Sequence, residues 1–185
     1  MTNKTPKNYK VPFMWSEYNS FSGADFNLLY KRTEHSMKGV NLTGGINDSK
    51  VDMKGISIGG LINSSGMDMK GVNIAGLSNV SEEDMKGVNI SGLGNGSDGD
   101  MKGVSLAGGL NYANKVNDYL ISYGTLGNVV NEKGKDSFGL QVGLYNKAGE
   151  QYCPIVNVWG VKNIPKLIKK SFNKSKNKSL EDKIE

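Results

Sequence analysis

Apolar and polar residues alternate with a period of two through much of this chain, and from Met37 onward the alternation recurs every 16 residues. Met-Lys-Gly triplets begin at Met37, Met53, Met69, Met85 and Met101. Numbered from each Met, position 3 is always Gly, position 8 is always Gly and position 11 is always Asn. Position 4 is Val or Ile, position 6 is Leu or Ile, and position 5 between them is Asn or Ser. Alternation of this kind, with β-branched residues at the apolar sites, predicts a strand. Two or more Gly per copy oppose a helix. Segments such as "DSKVD", "VSEED" and "GSDGD" after position 11 are polar and turn-rich. Each unit therefore reads as one strand of roughly ten residues followed by a turn. Val40, Leu42, Ile56, Ile58, Val72, Ile74, Val88, Ile90, Val104 and Leu106 are the expected repeat core.

Degenerate units extend the pattern. "YLISYGTLGNVVNEKGKD" and "SFGLQVGLYNKAGEQ" lie downstream, "YCPIVNVWGVKN" reads as a closing strand, and Phe26, Leu28 and Tyr30 alternate upstream. The fold class is all-β, and two topologies fit. An antiparallel meander would curl into a barrel-like sheet, which needs one apolar face per strand. A parallel β-solenoid is the alternative. It would stack Lys38, Lys54, Lys70, Lys86 and Lys102 at about 4.8 Å, with Asp52, Asp68, Asp84 and Asp100 to offset their repulsion. A solenoid also needs inward side chains on every wall, and the second half of each unit offers few apolar ones. The closed meander is therefore the expectation. The bulky residue shifts between positions 9 and 10 (Ile46, Leu77, Leu110), which a β-bulge near position 8 would explain. Three segments follow: an arm over 1–17, the β-repeat domain over 18–160 and a basic tail over 161–185.

Composition narrows the chemistry. Gly accounts for 25 of 185 residues, about twice the usual share, which raises the entropy cost of folding and calls for a regular hydrogen-bonded scaffold. One Cys, Cys153, excludes an internal disulfide, and one Cys with one His, His35, excludes a Cys/His zinc site. His35 reads as a solvated turn residue and Cys153 as a packing residue. Asn95, Asp98 and Asp100 have calcium-loop spacing but lack the closing Glu, so an acidic turn is expected. The Gly-Gly pairs lack the Gly-Lys-Ser/Thr of a phosphate loop. Position 7 is small but too irregular for an ice-binding ladder. No metal, cofactor, small-molecule substrate or catalytic residue is expected, and the chain reads as a non-enzyme.

Net charge is +5, and the tail carries it: residues 161–185 hold eight Lys against three acidic residues, and 1–160 hold 15 of each sign. Asn163 is placed to cap a helix with Pro165 in its first turn. Ile164, Leu167, Ile168 and Phe172 would share one face, with Lys166, Lys169, Lys170, Lys174 and Lys176 around the rest. Such a helix either caps the sheet or touches an anionic membrane surface. With no Arg and one aromatic in the tail, nucleic acid is not the expected partner. No apolar run is long enough for a transmembrane helix, and the first residues lack the apolar region of a signal peptide.

"MKGVNIAGLSN" and "FGLQVGLYN" resemble the short surface-repeat family of bacterial envelope proteins, whose tandem units read Gly-Val-Gln-Ile-(Ala)-Gly-Leu-x-Asn. "YNSFSGADFNLLYKR" is similar to the strand that often precedes those units, so the likeness runs from Tyr18 to Trp159. It implies a non-enzymatic role at the cell surface or envelope. The chain departs from that pattern in lacking a secretion signal. The expected function is thus a structural or interaction scaffold, envelope- or membrane-surface-associated, that binds a protein partner or itself. A membrane-embedded β-barrel is the alternative.

Overall fold

The computed structural model describes residues 14–163, and the predicted tail contacts at Ile164, Lys166, Leu167, Ile168, Lys169, Lys170, Phe172, Lys174 and Lys176 lie outside them. The chain forms a parallel β-solenoid, the alternative topology, and not an antiparallel barrel. Each 16-residue unit makes one full coil with two strands. A seven-residue strand carries positions 1–7 and a four-residue strand carries positions 10–13. In chain order these are β1 Trp15–Tyr18, β2 Phe21–Asn27, β3 Tyr30–Thr33, β4 Met37–Thr43, β5 Ile46–Ser49, β6 Met53–Gly59, β7 Ile62–Ser65, β8 Met69–Ala75, β9 Ser78–Ser81 and β10 Met85–Ser91. Then β11 Gly94–Ala107, β12 Leu110–Val116, β13 Tyr119–Gly124, β14 Gly127–Lys133, β15 Phe138–Ala148 and β16 Gln151–Trp159 lead to a 3-10 turn at Val161–Asn163. β1 pairs in register on β3.

The long wall stacks β2, β4, β6, β8, β10, β11, β13 and β15, and the short wall stacks β1, β3, β5, β7, β9, β11, β12, β14 and β15. Like residue sits on like: Met69 pairs with Met53 and Met85, Lys70 with Lys54 and Lys86, Asn79 with Asn63 and Asn95. Backbone bonds run from coil to coil through the corners as well, as from Leu77 N–H to the Leu61 carbonyl at 2.8 Å. The position 9–10 shift therefore marks a corner and not a bulge.

The core reverses the expected polarity of the alternation. Positions 1, 5, 7, 11 and 13 point inward, and positions 2, 4 and 6 point outward. Val40, Leu42, Ile58, Val72, Ile74, Ile90 and Val104 are half-buried at best, and Ile56, Val88 and Leu106 are exposed at 41%, 36% and 36%. Met37, Met53, Met69, Met85 and Met101 are fully buried and stack behind Phe21 as the apolar column. In the perfect repeats the rest of the interior is largely polar, whereas towards the C-terminal end Ala113, Val116, Leu120, Val130, Ala148 and Trp159 join the buried apolar cluster. Short amides and hydroxyls fill most of the inward positions 5, 11 and 13 of these repeats, and the branched aliphatic residues of positions 4 and 6 are turned outward.

Asparagine makes that polar interior stable. From Asn47 through Asn63, Asn79, Asn95, Asn111 and Asn128 to Asn146, each side-chain Nδ2 donates to the Oδ1 of the next at 2.7–2.9 Å. The second N–H reaches across to a long-wall carbonyl, for example from Asn63 to Ile74 at 2.9 Å. A rung spacing of about 4.8 Å suits identical amides stacked in register, the geometry of the Asn ladders in cross-β assemblies. Ser65 and Ser81 at position 13 donate to turn carbonyls, Ser65 to Val51 at 2.8 Å. The column at position 5 is less complete: Ser57 Oγ, Asn73 Oδ1 and Asn89 Nδ2 are buried without a partner among the described residues.

The Met column predicts tolerance of shape at fixed volume. Met69→Leu should lower stability by less than about 1.5 kcal/mol, read as a small shift in thermal midpoint. A loss several times larger would mean that the thioether chain, and not its volume, is what the column requires.

The C-terminal end is closed differently. β16 runs antiparallel along β15, from Ala148↔Gln151 to Gly139↔Trp159, with a register shift between Gly143 and Asn146. Trp159 is buried against Gly139 and donates its indole N–H to Ser137 Oγ at 3.2 Å. Pro154 lies within β16 at this register shift, and Ile155 beside it takes a positive φ of 71°.

Candidate interaction surface

Because positions 4 and 6 point outward on every long strand, the outer side of the long wall is an apolar face. Its columns run through Val40, Ile56, Val72, Val88 and Val104 and through Leu42, Ile58, Ile74, Ile90 and Leu106. Ile121 and Tyr123 continue them on β13, exposed at 40% and 48%. Leu140 and Val142 follow on β15, and Val156 and Val158 of the closing strand complete them. A further column lines the corner: Leu61, Leu77, Leu93, Leu126 and Leu144 are all exposed, Leu93 at 60%. Sequence reasoning gathered the first two columns correctly as sets but placed them inside. It noted the bulky residue at position 9 or 10 but took it for the mark of a bulge, and so did not gather the corner leucines as a column, which Gly109 interrupts.

The opposite border of the face is charged and balanced. Lys54, Lys70 and Lys86 each pair with the Asp two residues earlier (Asp52, Asp68 and Asp84), and Lys102 reaches Asp118 on the next coil at 2.8 Å. The expected Lys and Asp columns thus form and neutralise each other over three coils, while Lys38 and Asp100 make no ion pair among the described residues. The hydrogen bond from Lys54 holds Asp52 below the usual carboxylate range, against the opposing effect of its partial burial. Burial pushes Asp100 up, although its Oδ1 accepts the Asn117 N–H at 2.8 Å. His35 is exposed at a turn, and Cys153 is a half-buried free thiol on the closing strand. Among the described residues, no group of three or more His, Cys, Asp or Glu is placed to hold a metal, and no helix is long and apolar enough to cross a membrane.

A second polar feature lies at the N-terminal end. In the coil 21–36, Asp25 replaces the usual Asn or Ser of position 5 and Lys31 replaces the Asn of position 11. Both are buried, and Lys31 Nζ lies 2.9 Å from Asp25 Oδ2. The ammonium also donates to Asn41 Oδ1 at 2.6 Å and sits 3.3 Å from the centre of the Phe21 ring. Burial pulls Lys31 down to about 8, with Asp25 opposing the shift. A substituted Asn column was visible in the sequence, but its meaning needed the inward orientation of position 11.

These features define a parallel β-solenoid whose coils are 16 residues long in the perfect repeats and 17 and 18 further on, with an amide ladder beside an apolar column inside, an apolar outer face and a buried ion pair at one end. Comparison with protein-family models, with curated proteins and with solved structures finds no match.

Proposed function

We propose that the chain is a non-enzymatic scaffold that acts by contact, through the apolar face of its long wall. The observation that supports this reading is the continuity of that face: outward Val, Ile and Leu occupy every long strand from β4 to β15. Exposed large apolar side chains recur along it, at Ile56, Val88, Leu106, Ile121 and Tyr123, and a contiguous exposed apolar patch marks a contact surface. The position 11 amides are committed to one another and to backbone, so this ladder holds the rungs together. Placement at the cell envelope rests on the resemblance of the repeat unit alone. A membrane-surface role for the basic tail concerns residues outside those described.

A photocrosslinking residue, p-benzoylphenylalanine, separates contact from mere exposure. Introduced at Val72 or Val88 in the producing cell, it should give adducts. Introduced at Glu82, in an exposed turn away from the face, it should not. Absence of adducts from both face positions would refute the scaffold reading.

A further inference from the structure

Resting on that contact reading, we infer that the occupant of the long-wall face is a second copy of this chain, packed sheet against sheet. The face has eight rungs, β2, β4, β6, β8, β10, β11, β13 and β15, with β16 as a ninth. At about 4.8 Å per rung and 3.3 Å per residue, the extended long wall from position 2 to position 7 measures roughly 38 by 17 Å. Its projected area of about 650 Å², enlarged by side-chain relief, approaches the ~800 Å² that each partner of a standard stable interface buries.

Three properties favour a copy of the same chain over a lipid surface. Every coil repeats at the same spacing, so ridges of Val and Ile on one molecule match the grooves of another for as many rungs as overlap. Sheets packed face to face through apolar side chains at about 10 Å are a standard core arrangement. The charged border is nearly balanced, each of Lys54, Lys70, Lys86 and Lys102 holding an Asp and Lys38 alone in the Lys column making no ion pair among the described residues, so it supplies little net positive rim to draw the face onto anionic headgroups. A two-fold axis along the strand direction would bring the two borders edge to edge, where Lys of one copy can share Asp of the other. Such an interface is isologous and closes on itself.

Analytical ultracentrifugation of the full chain without detergent tests this. The expected species has twice the 20.0 kDa chain mass at micromolar concentration. Ile74→Glu should weaken the association at least ~100-fold, because it places a carboxylate in the apolar interface without a partner. Leu77→Glu, at an exposed corner, is the second variant should Ile74→Glu fail to fold, and circular dichroism reports folding of each. Glu82→Lys, in a turn away from the face, should leave the dimer intact. A dimer that survives both acidic face variants overturns the assignment of the face. A monomer at all concentrations overturns the second-copy inference. If that monomer floats with phosphatidylcholine vesicles, the contact reading stands with a lipid occupant, and if it does not float and shows no crosslinks at Val72 or Val88, both readings fall.

Discussion

Gly71→Ala should destabilise the solenoid by about 4 kcal/mol and lower its melting temperature by roughly 10 °C or more, whereas Gly96→Ala should leave both within error or raise them slightly. Gly71 has φ +120°, a region that side-chain-bearing residues rarely adopt, and strain of this kind costs about 1–3 kcal/mol. Space is the second term. A Cβ on Gly71 would lie 2.0 Å from the carbonyl oxygen of Gly55 on the preceding coil. Both atoms belong to hydrogen-bonded backbone, so relief requires the rungs to separate. The same geometry recurs at Gly39, Gly55, Gly87 and Gly103, with φ between 108° and 121°. Gly96 has ordinary φ and nothing within 4 Å of its would-be Cβ. A Gly71→Ala protein that melts within about 2 °C of the parent would show that the coil spacing is far softer than this packing implies.

The buried pair at the N-terminal end should respond in opposite ways to single and double substitution. Asp25→Asn alone leaves the Lys31 ammonium without its counter-charge and should cost about 3–5 kcal/mol. Replacing both with Asn should be neutral or stabilising, because a buried ion pair seldom outperforms a well-matched neutral pair and an amide in place of Lys31 would continue the ladder that begins at Asn47. The pH dependence carries a definite sign. Lys31 has a folded value of about 8, below the ordinary lysine value of 10.5. Between those limits the unfolded chain binds a proton that the fold does not, so stability rises with pH through this window, and the burial cost is carried in full below it. Denaturation from pH 7 to 10.5 should therefore show the parent gaining on the doubly substituted protein. A flat difference would mean that Lys31 does not change protonation differently in the two states.

Much of the architecture was legible in the residues. The 16-residue period, the strand content, the closing strand near Trp159 and the Lys and Asp columns all follow from spacing. What spacing could not decide was which of the two faces of a period-two strand turns inward. Val72 and Ile74 looked like core because burying aliphatic side chains is the usual solution. Here the inward places go to Asn73, Ala75 and Asn79, whose amides can bond along the stack as aliphatic chains cannot. The stacked amides are satisfied only when identical residues lie one rung apart, a condition that depends on parallel stacking and is invisible in a single unit. The invariance of Asn at position 11, beside the freely exchanged Val and Ile of position 4, was the available clue. The Asp25–Lys31 exchange was legible as a break in two columns but not as a pair, because positions 5 and 11 meet only when the coil closes.

The antiparallel β16 has a consequence for how many rungs can exist. A parallel coil ends in an unsatisfied edge that would accept another parallel strand, so a protein of identical units could elongate molecule upon molecule into a fibre. Here the last parallel edge, that of β15, is occupied by a strand of reversed polarity. The new outer edge is broken by Pro154, which offers no N–H, and by the turned backbone of Ile155, the kinds of feature that blunt strand-to-strand addition. The chain thereby counts its own rungs at this end and stops, behaving as a ruler of fixed length where an open end would make it a seed.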